Sequence, residues 1–273
     1  MLYSRFMALN EIFNSKIFNT ESKENFRHIF NSNTPVRHIV IDNFLDTRFG
    51  QDIFANFPSL AAMKTHYHGL NENKSEDSNF DKLDSCFSLL HEGLSSEFFL
   101  NWIQDCTHIS QCAVINDRLG YGLHQGGNNS FLDIHIDYNI HPIQQLYRKL
   151  NLILFFNPVW EATWGGHLEL WDSEVKNCIQ SIAPVFNRCV IFECSDVSYH
   201  GYSRINIPDG ITRKSYYQYY FTPVPEAITY HDTVFKSRPK ESFYKKIATP
   251  VKELAKNTAK RMLLKTGMKR FLK

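Results

Sequence analysis

The chain has no C-x-x-C pair, no stretch of 18 consecutive apolar residues and no Walker or Rossmann glycine pattern. Each absence excludes something. Without the apolar stretch there is no spanning helix, and without the glycine patterns there is no signature of a nucleotide-binding α/β unit. The six cysteines, at 86, 106, 112, 178, 189 and 194, read as reduced thiols of a cytoplasmic protein and not as a disulfide frame. The opening Met1-Leu2-Tyr3-Ser4-Arg5-Phe6 lacks the apolar core and small-residue cleavage site of a secretory signal. What is present is apolar mass. A 43% hydrophobic share with 22 Phe and 13 Tyr in 273 residues excludes wholesale disorder and suits one large domain, or one with an appendage.

The net charge of +2 hides an asymmetry. Residues 236–273 hold 13 Lys/Arg against Glu241 and Glu253, 13 − 2 = +11, so residues 1–235 hold 17 against 26, or −9.

Three regions follow from the patterning. In residues 1–110, Phe6, Leu9, Phe13 and Ile17 share a helical stripe, His38–Ile41 reads as a strand, and Asp46 opens a helix that Pro58 closes. Residues 64–84 are polar and predict a long surface loop, a candidate lid. Leu90, Leu94, Phe98 and Trp102 predict a single helix from Phe87 to Ile109. In residues 111–225, glycine punctuation separates short apolar runs at 131–137, 150–156, 167–171, 189–194 and 215–221, which argues an antiparallel sandwich or barrel. Residues 226–273 return to helical period, with Ile247, Val251, Leu254, Ala255, Thr258 and Met262 on one side, extended by Met268, Phe271 and Leu272.

The chemistry centres on His135-Ile136-Asp137. Side chains two apart on a strand share a face, so imidazole and carboxylate converge while Ile136 packs behind. A metal site needs a third ligand, and His200, just past the Val190–Phe192 strand, is the candidate. Two His and one carboxylate leave three positions open on a metal, the arrangement of non-haem Fe(II) oxygenases. Arg213 opens a strand of largely aromatic character. An inward guanidinium there needs an anion, which a dicarboxylate would supply, with Ser215 as a second contact. His141 offers a rival local site with His135 and Asp137, although Pro142 places it on the loop leaving the strand, at the substrate mouth. His124, His167, Trp160 and Trp164 read as packing or rim residues, and Glu169 as a paired surface carboxylate.

These residues carry a resemblance. Arg148 opening the strand to Asn157-Pro158, Gly165-Gly166-His167-Leu168-Glu169-Leu170-Trp171-Asp172, and Pro184-Val185-Phe186-Asn187-Arg188 before the distal His200 and Arg213 resemble the iron(II)/2-oxoglutarate-dependent oxygenases of the prolyl-4-hydroxylase-like branch. The likeness covers about Gly120 to Pro223. It implies a double-stranded β-helix, a jelly-roll of mainly β character with supporting helices. It also implies Fe(II) held by His135, Asp137 and His200, and 2-oxoglutarate paired with Arg213. O₂ would be the oxidant and ascorbate an accessory reductant. Asn151 falls where the family often has a co-substrate threonine. Phe155 stands where some relatives have a tyrosine, so Ser215, Tyr217 or Asn151 must replace its hydroxyl.

The implied activity is hydroxylation of an aliphatic C–H in a peptidyl proline, a sugar or lipid-linked glycan, or a small metabolite. The rival readings are a non-catalytic cupin-like binding or sensor module and another cupin-class metalloenzyme. For 236–273, a helix docked on the acidic body by its apolar stripe competes with peripheral contact to anionic membrane. Nothing in the pattern reads nucleic acid.

Overall fold

The computed structural model describes residues 9–226 and 228–265, apart from the side chains of 9, 10, 254–257 and 259–265. Phe6, Met268, Phe271 and Leu272, and the side chains of Leu254, Ala255 and Met262, therefore lie outside the described residues.

The expected N-terminal helix is divided by two asparagines, whose short amides cap helices better than they continue them. Helix α1 (Leu9–Ile12) ends before Asn14, which accepts from the Lys16 amide and starts a 3₁₀ turn; Asn19 accepts from the Ser22 amide and starts α2 (Thr20–Ser32). Strand β1 (His38–Ile41) follows, then α3 (Thr47–Ala55), capped as its sequence implies by Asp46 on the amides of Arg48 and Phe49.

Residues 64–84 depart from expectation. They form a hairpin, β2 (Thr65–His68) and β3 (Glu72–Asp77), and not a loop. β3 is hydrogen-bonded between two later strands of the main sheet, β4 (Tyr121–Gly126) and β5 (Phe131–Ile136). Its backbone pairs on both sides while its side chains remain polar, so no apolar alternation marks it.

The single helix expected from 87 to 109 is two, α4 (Ser85–Ser95) and α5 (Glu97–Thr107). The Ser96 hydroxyl accepts from the Phe99 amide at 3.2 Å and restarts the helix. The break shifts the register, so Phe99 is buried and Phe98 faces outward.

Beyond β4 and β5 come β6 (Tyr147–Phe155), β7 (Leu168–Trp171), β8 (Cys178–Ile182), β9 (Arg188–Glu193), β10 (His200–Tyr202), β11 (Arg213–Thr222) and β12 (Val234–Phe235). They complete one curled antiparallel sheet in the order β1-β9-β6-β11-β4-β3-β5-β10-β7-β8, with β12 added on β5. The strands β6, β9 and β11 are buried on both faces. Leu152, Leu154, Ile191, Tyr216 and Tyr220 meet the helices, while Phe155, Val190 and Phe192 meet Leu168, Leu170 and Ile182 inside the curl. This double burial explains why these strands read as nearly continuous apolar runs.

Helix α6 (Phe243–Lys265) ends the described chain. Among its described side chains, it docks by polar ones. Thr249 and Glu253 are buried, Thr249 Oγ1 accepts from Asn71 Nδ2 at 2.9 Å, and Lys245 Nζ is 2.8 Å from Asp133 Oδ2. Ile247 and Val251 point outward. None of the described helices is long and apolar enough to cross a membrane.

Candidate active site

Within the curl, β10 lies directly against β5 with His200 opposite His135. Gly201 permits this approach, because a Cβ there would stand 2.6 Å from the Leu132 carbonyl oxygen and 2.7 Å from that of Asp133. Asp137 follows β5 on the same face as His135. His135 Nε2 is 3.5 Å from Asp137 Oδ1, and His200 Nε2 is 3.4 Å from Asp137 Oδ2. Each imidazole is oriented from behind. His135 Nδ1 lies 2.8 Å from the Asp133 carbonyl oxygen and His200 Nδ1 lies 3.0 Å from that of Ser198. A carbonyl only accepts, so Nδ1 carries the proton and both Nε2 lone pairs face the carboxylate. Three ligand atoms, one from each residue, lie within 4.8 Å of one another.

Electrostatics suit the same purpose. Burial alone would raise the Asp137 carboxyl, but the Arg148 guanidinium overrides it and, with both imidazoles, holds the group well below the ordinary carboxylate range. Burial, reinforced by the neighbouring His135, pushes His200 down to about 4. Neutral imidazoles and an ionised carboxylate are the protonation states a divalent metal requires. The donor set therefore fits Fe(II), with three sides left open.

Two buried groups orient Asp137. Arg148 Nη2 contacts Oδ2 at 2.8 Å, and its guanidinium lies 3.3 Å above the Tyr219 ring. Asn151 Nδ2 donates to the same oxygen at a longer 3.4 Å. The sequence marks Arg148 only as the start of a strand. Its pairing with Asp137 follows from the turn between β5 and β6, where the Arg148 amide donates to the Asn139 carbonyl.

Arg213, at the start of β11 opposite Gly126, is 5% exposed. Its Nε donates to the Gly166 carbonyl at 2.7 Å, and its guanidinium faces the rings of Tyr202 and Phe155. Among the described residues no carboxylate lies within ion-pair reach, and burial pushes the guanidinium down to about 10. A cation held this way fits an incoming carboxylate. Arg213 and the His–Asp–His cluster share one cavity of about 370 Å³.

Ser215, Asn151 and Tyr217 line that cavity too, although the Tyr217 hydroxyl is donated to Glu76. Glu76 belongs to the hairpin, which contributes Tyr67, Glu72 and Lys74 to the same wall. Lys74 Nζ sits 3.3 Å from His124 Nε2 and 3.6 Å from Glu76 Oε2. Burial and the adjacent ammonium push His124 down to about 4. At the opposite edge Phe235 of β12 packs 5.3 Å from the His135 ring. Neither the hairpin nor this two-residue strand has an apolar pattern that would expose its role.

Other sequence candidates fall elsewhere. His141 is fully buried with Nε2 3.0 Å from Asp117 Oδ2, so it completes no local metal site and does not line the mouth. His167 pairs with Ser181, Glu169 with Arg238 and Trp171, and Trp160 packs edge-on against Trp164.

Residues 121–221 match the family model of the 2OG-Fe(II) oxygenase superfamily. That stretch of the chain is similar to the 2-oxoglutarate- and iron(II)-dependent oxygenases. A stretch of 62 residues is 36% identical to mouse prolyl 3-hydroxylase OGFOD1, covering 21% of this chain and 11% of that protein. The curled sheet adopts the double-stranded β-helix fold of solved oxygenases. A 2OG-Fe(II) oxygenase family oxidoreductase from Burkholderia pseudomallei superimposes with a TM-score of 0.51 at 10% identity, over 74% of this chain and 91% of that one. HygX from Streptomyces hygroscopicus, solved with nickel, 2-oxoglutarate and hygromycin B, gives 0.50 at 11% identity, over 73% and 87%.

Proposed function

We propose that the protein is a dioxygenase that hydroxylates an aliphatic C–H, with Fe(II) held by His135, Asp137 and His200 and 2-oxoglutarate anchored by Arg213. One observation carries this reading: three convergent donors and a buried, carboxylate-free guanidinium open into a single cavity.

Bound there, ferrous iron supplies O₂ activation coupled to oxidative decarboxylation of 2-oxoglutarate to succinate and CO₂, with transfer of an oxygen atom to the substrate. The protein's own residues supply geometry. Arg213 takes the far carboxylate of the co-substrate, with Ser215 beside it on the same strand face. Arg148 and Asn151 hold the Asp137 carboxylate in one rotamer. Asp133 and Ser198 keep the imidazole protons away from the metal side. Phe235 shields the outer face of His135 from water.

The hairpin wall of Tyr67, Glu72, Lys74 and Glu76 supports a polar substrate with both donors and acceptors, such as a sugar, an amino acid derivative or a peptide segment, over a plain hydrocarbon. Six free cysteines, five of them buried, support residence in a reducing compartment such as the cytoplasm.

The test is succinate release from 2-oxoglutarate with added Fe(II), even uncoupled from any substrate. The wild-type chain should release succinate, and Asp137→Ala should not rise above the protein-free blank. Near-normal release from Asp137→Ala would overturn the ligand assignment. No release from the wild-type chain across varied substrates would favour a binding module.

A further inference from the structure

Helix α6 presents four large apolar side chains to solvent: Phe243 is 79% exposed, Tyr244 73%, Ile247 51% and Val251 62%. At about 100° per residue, these positions fall within about 100° of one helix face. Thr249 and Glu253, the buried contacts to the body, lie roughly 150° away on the same count. The helix is thus fixed by one side and displays the other. Lys246 and Lys252, both exposed, flank the apolar arc on either side.

The charge of the segment selects among occupants. Residues 236–273 carry 13 − 2 = +11, of which Arg238 and Lys245 are already paired with Glu169 and Asp133 of the body. Nine further Lys/Arg follow Lys245, against Glu253 alone. Setting this face against the same face of a second copy would oppose +11 to +11. A nucleic acid would match the charge but gives no reason to expose Ile and Val. An anionic bilayer matches both features, because apolar side chains enter the headgroup boundary while flanking lysines reach the phosphates.

We propose that the exposed face of α6, formed by Phe243, Tyr244, Ile247 and Val251 with Lys246 and Lys252, seats the protein on an anionic membrane surface. This surface does not depend on the oxygenase reading. It does place the catalytic cavity near the bilayer, because Asp232, Thr233 and Phe235 of the cavity wall lie a few residues before the helix.

The experiment is co-sedimentation of the full chain with vesicles of phosphatidylserine and phosphatidylcholine, against phosphatidylcholine alone. The wild-type chain should partition to the anionic vesicles only, and less as salt rises. The triple variant Phe243→Ser/Ile247→Ser/Val251→Ser should bind about tenfold more weakly or worse, with unchanged melting temperature and 2-oxoglutarate turnover. Lys246→Glu/Lys252→Glu provides a second reading should the triple variant fold poorly, and it should also lose the anionic preference. Equal partitioning of wild type and either well-folded variant would overturn the proposal. So would wild-type binding to neutral vesicles alone. Self-association, or binding to duplex DNA, that the triple variant abolishes while wild type ignores vesicles would reassign the face.

Discussion

The carboxylate of Asp137 and the guanidinium of Arg148 form a 2.8 Å ion pair in which the arginine side chain is only 1% exposed. The pair brings together the end of β5 and the start of β6. The Tyr219 ring covers one face of the guanidinium and excludes water from it. A buried charge of this kind serves orientation more than stability, because its desolvation cost offsets most of the attraction. Here the oriented group is a ligand of the metal site proposed above.

Replacing Arg148 with Met should therefore be felt twice. The carboxylate loses its orienting partner, and Fe(II) affinity should fall about 10- to 100-fold in an anaerobic titration. The stranded buried charge should also destabilise the metal-free fold by about 3–5 kcal/mol in urea. The double variant Asp137→Ala/Arg148→Met should recover much of that stability and none of the metal binding.

Acid should weaken the metal-free protein in two stages. His200 is depressed in the folded state to about 4, from an ordinary value near 6.5. Above pH 6.5 neither folded nor unfolded chains protonate it. Between pH 6.5 and about 4 the unfolded chain binds a proton that the folded one refuses, so stability falls, by an amount on the order of a few kcal/mol. Asp137 is depressed too, by neighbouring positive charge and not by burial, and with the same consequence. Its folded carboxyl is depressed, so its contribution is present above the unfolded value near 3.9 and is lost as pH falls below it. Urea midpoints of the apo protein between pH 7 and pH 4 measure the first stage. His200→Gln should shrink it without abolishing it, because His124 is depressed to about 4 as well.

Gly201→Ala probes the strand contact beneath the site. The new methyl would meet the carbonyls of Leu132 and Asp133 below 2.8 Å, and backbone has little room to yield. The variant should lose about 1–3 kcal/mol of stability and bind Fe(II) poorly, because β10 must move and carry His200 away from His135. Calorimetric melting and metal titration on the same sample check both effects.

Arg213→Met removes the proposed anchor of the co-substrate and leaves the three metal donors in place. The KM for 2-oxoglutarate should rise about ten- to a hundredfold, with a smaller change in kcat. Equal losses in Fe(II) affinity would show instead that the substitution had collapsed the cavity.

Local chemistry was the legible part of this molecule. His135-x-Asp137 follows from the two-residue period of a strand, and Asp46 and the strands β6, β9 and β11 follow from capping and double burial. Pairings between distant residues were not legible. The hairpin Thr65–Asp77 is stabilised by backbone bonds and by charged groups facing the cavity, so it has the composition of a loop. His141 follows the strand of His135 and Asp137 at a suggestive spacing, yet Asp117 draws it into the protein. For α6 the pattern gives an apolar stripe but not which side meets the body. Thr249 and Lys245 decide that through Asn71 and Asp133.

Asp133 has two allegiances. Its carbonyl oxygen sets the tilt of the His135 ring, and its carboxylate takes the Lys245 ammonium at the root of α6. The C-terminal arm and the His135 imidazole thus pull on opposite ends of one residue. Trimming the arm to simplify the protein should slacken the very strand that carries His135 and Asp137, so a shortened chain should differ from this one at the proposed site and not be a smaller copy of it.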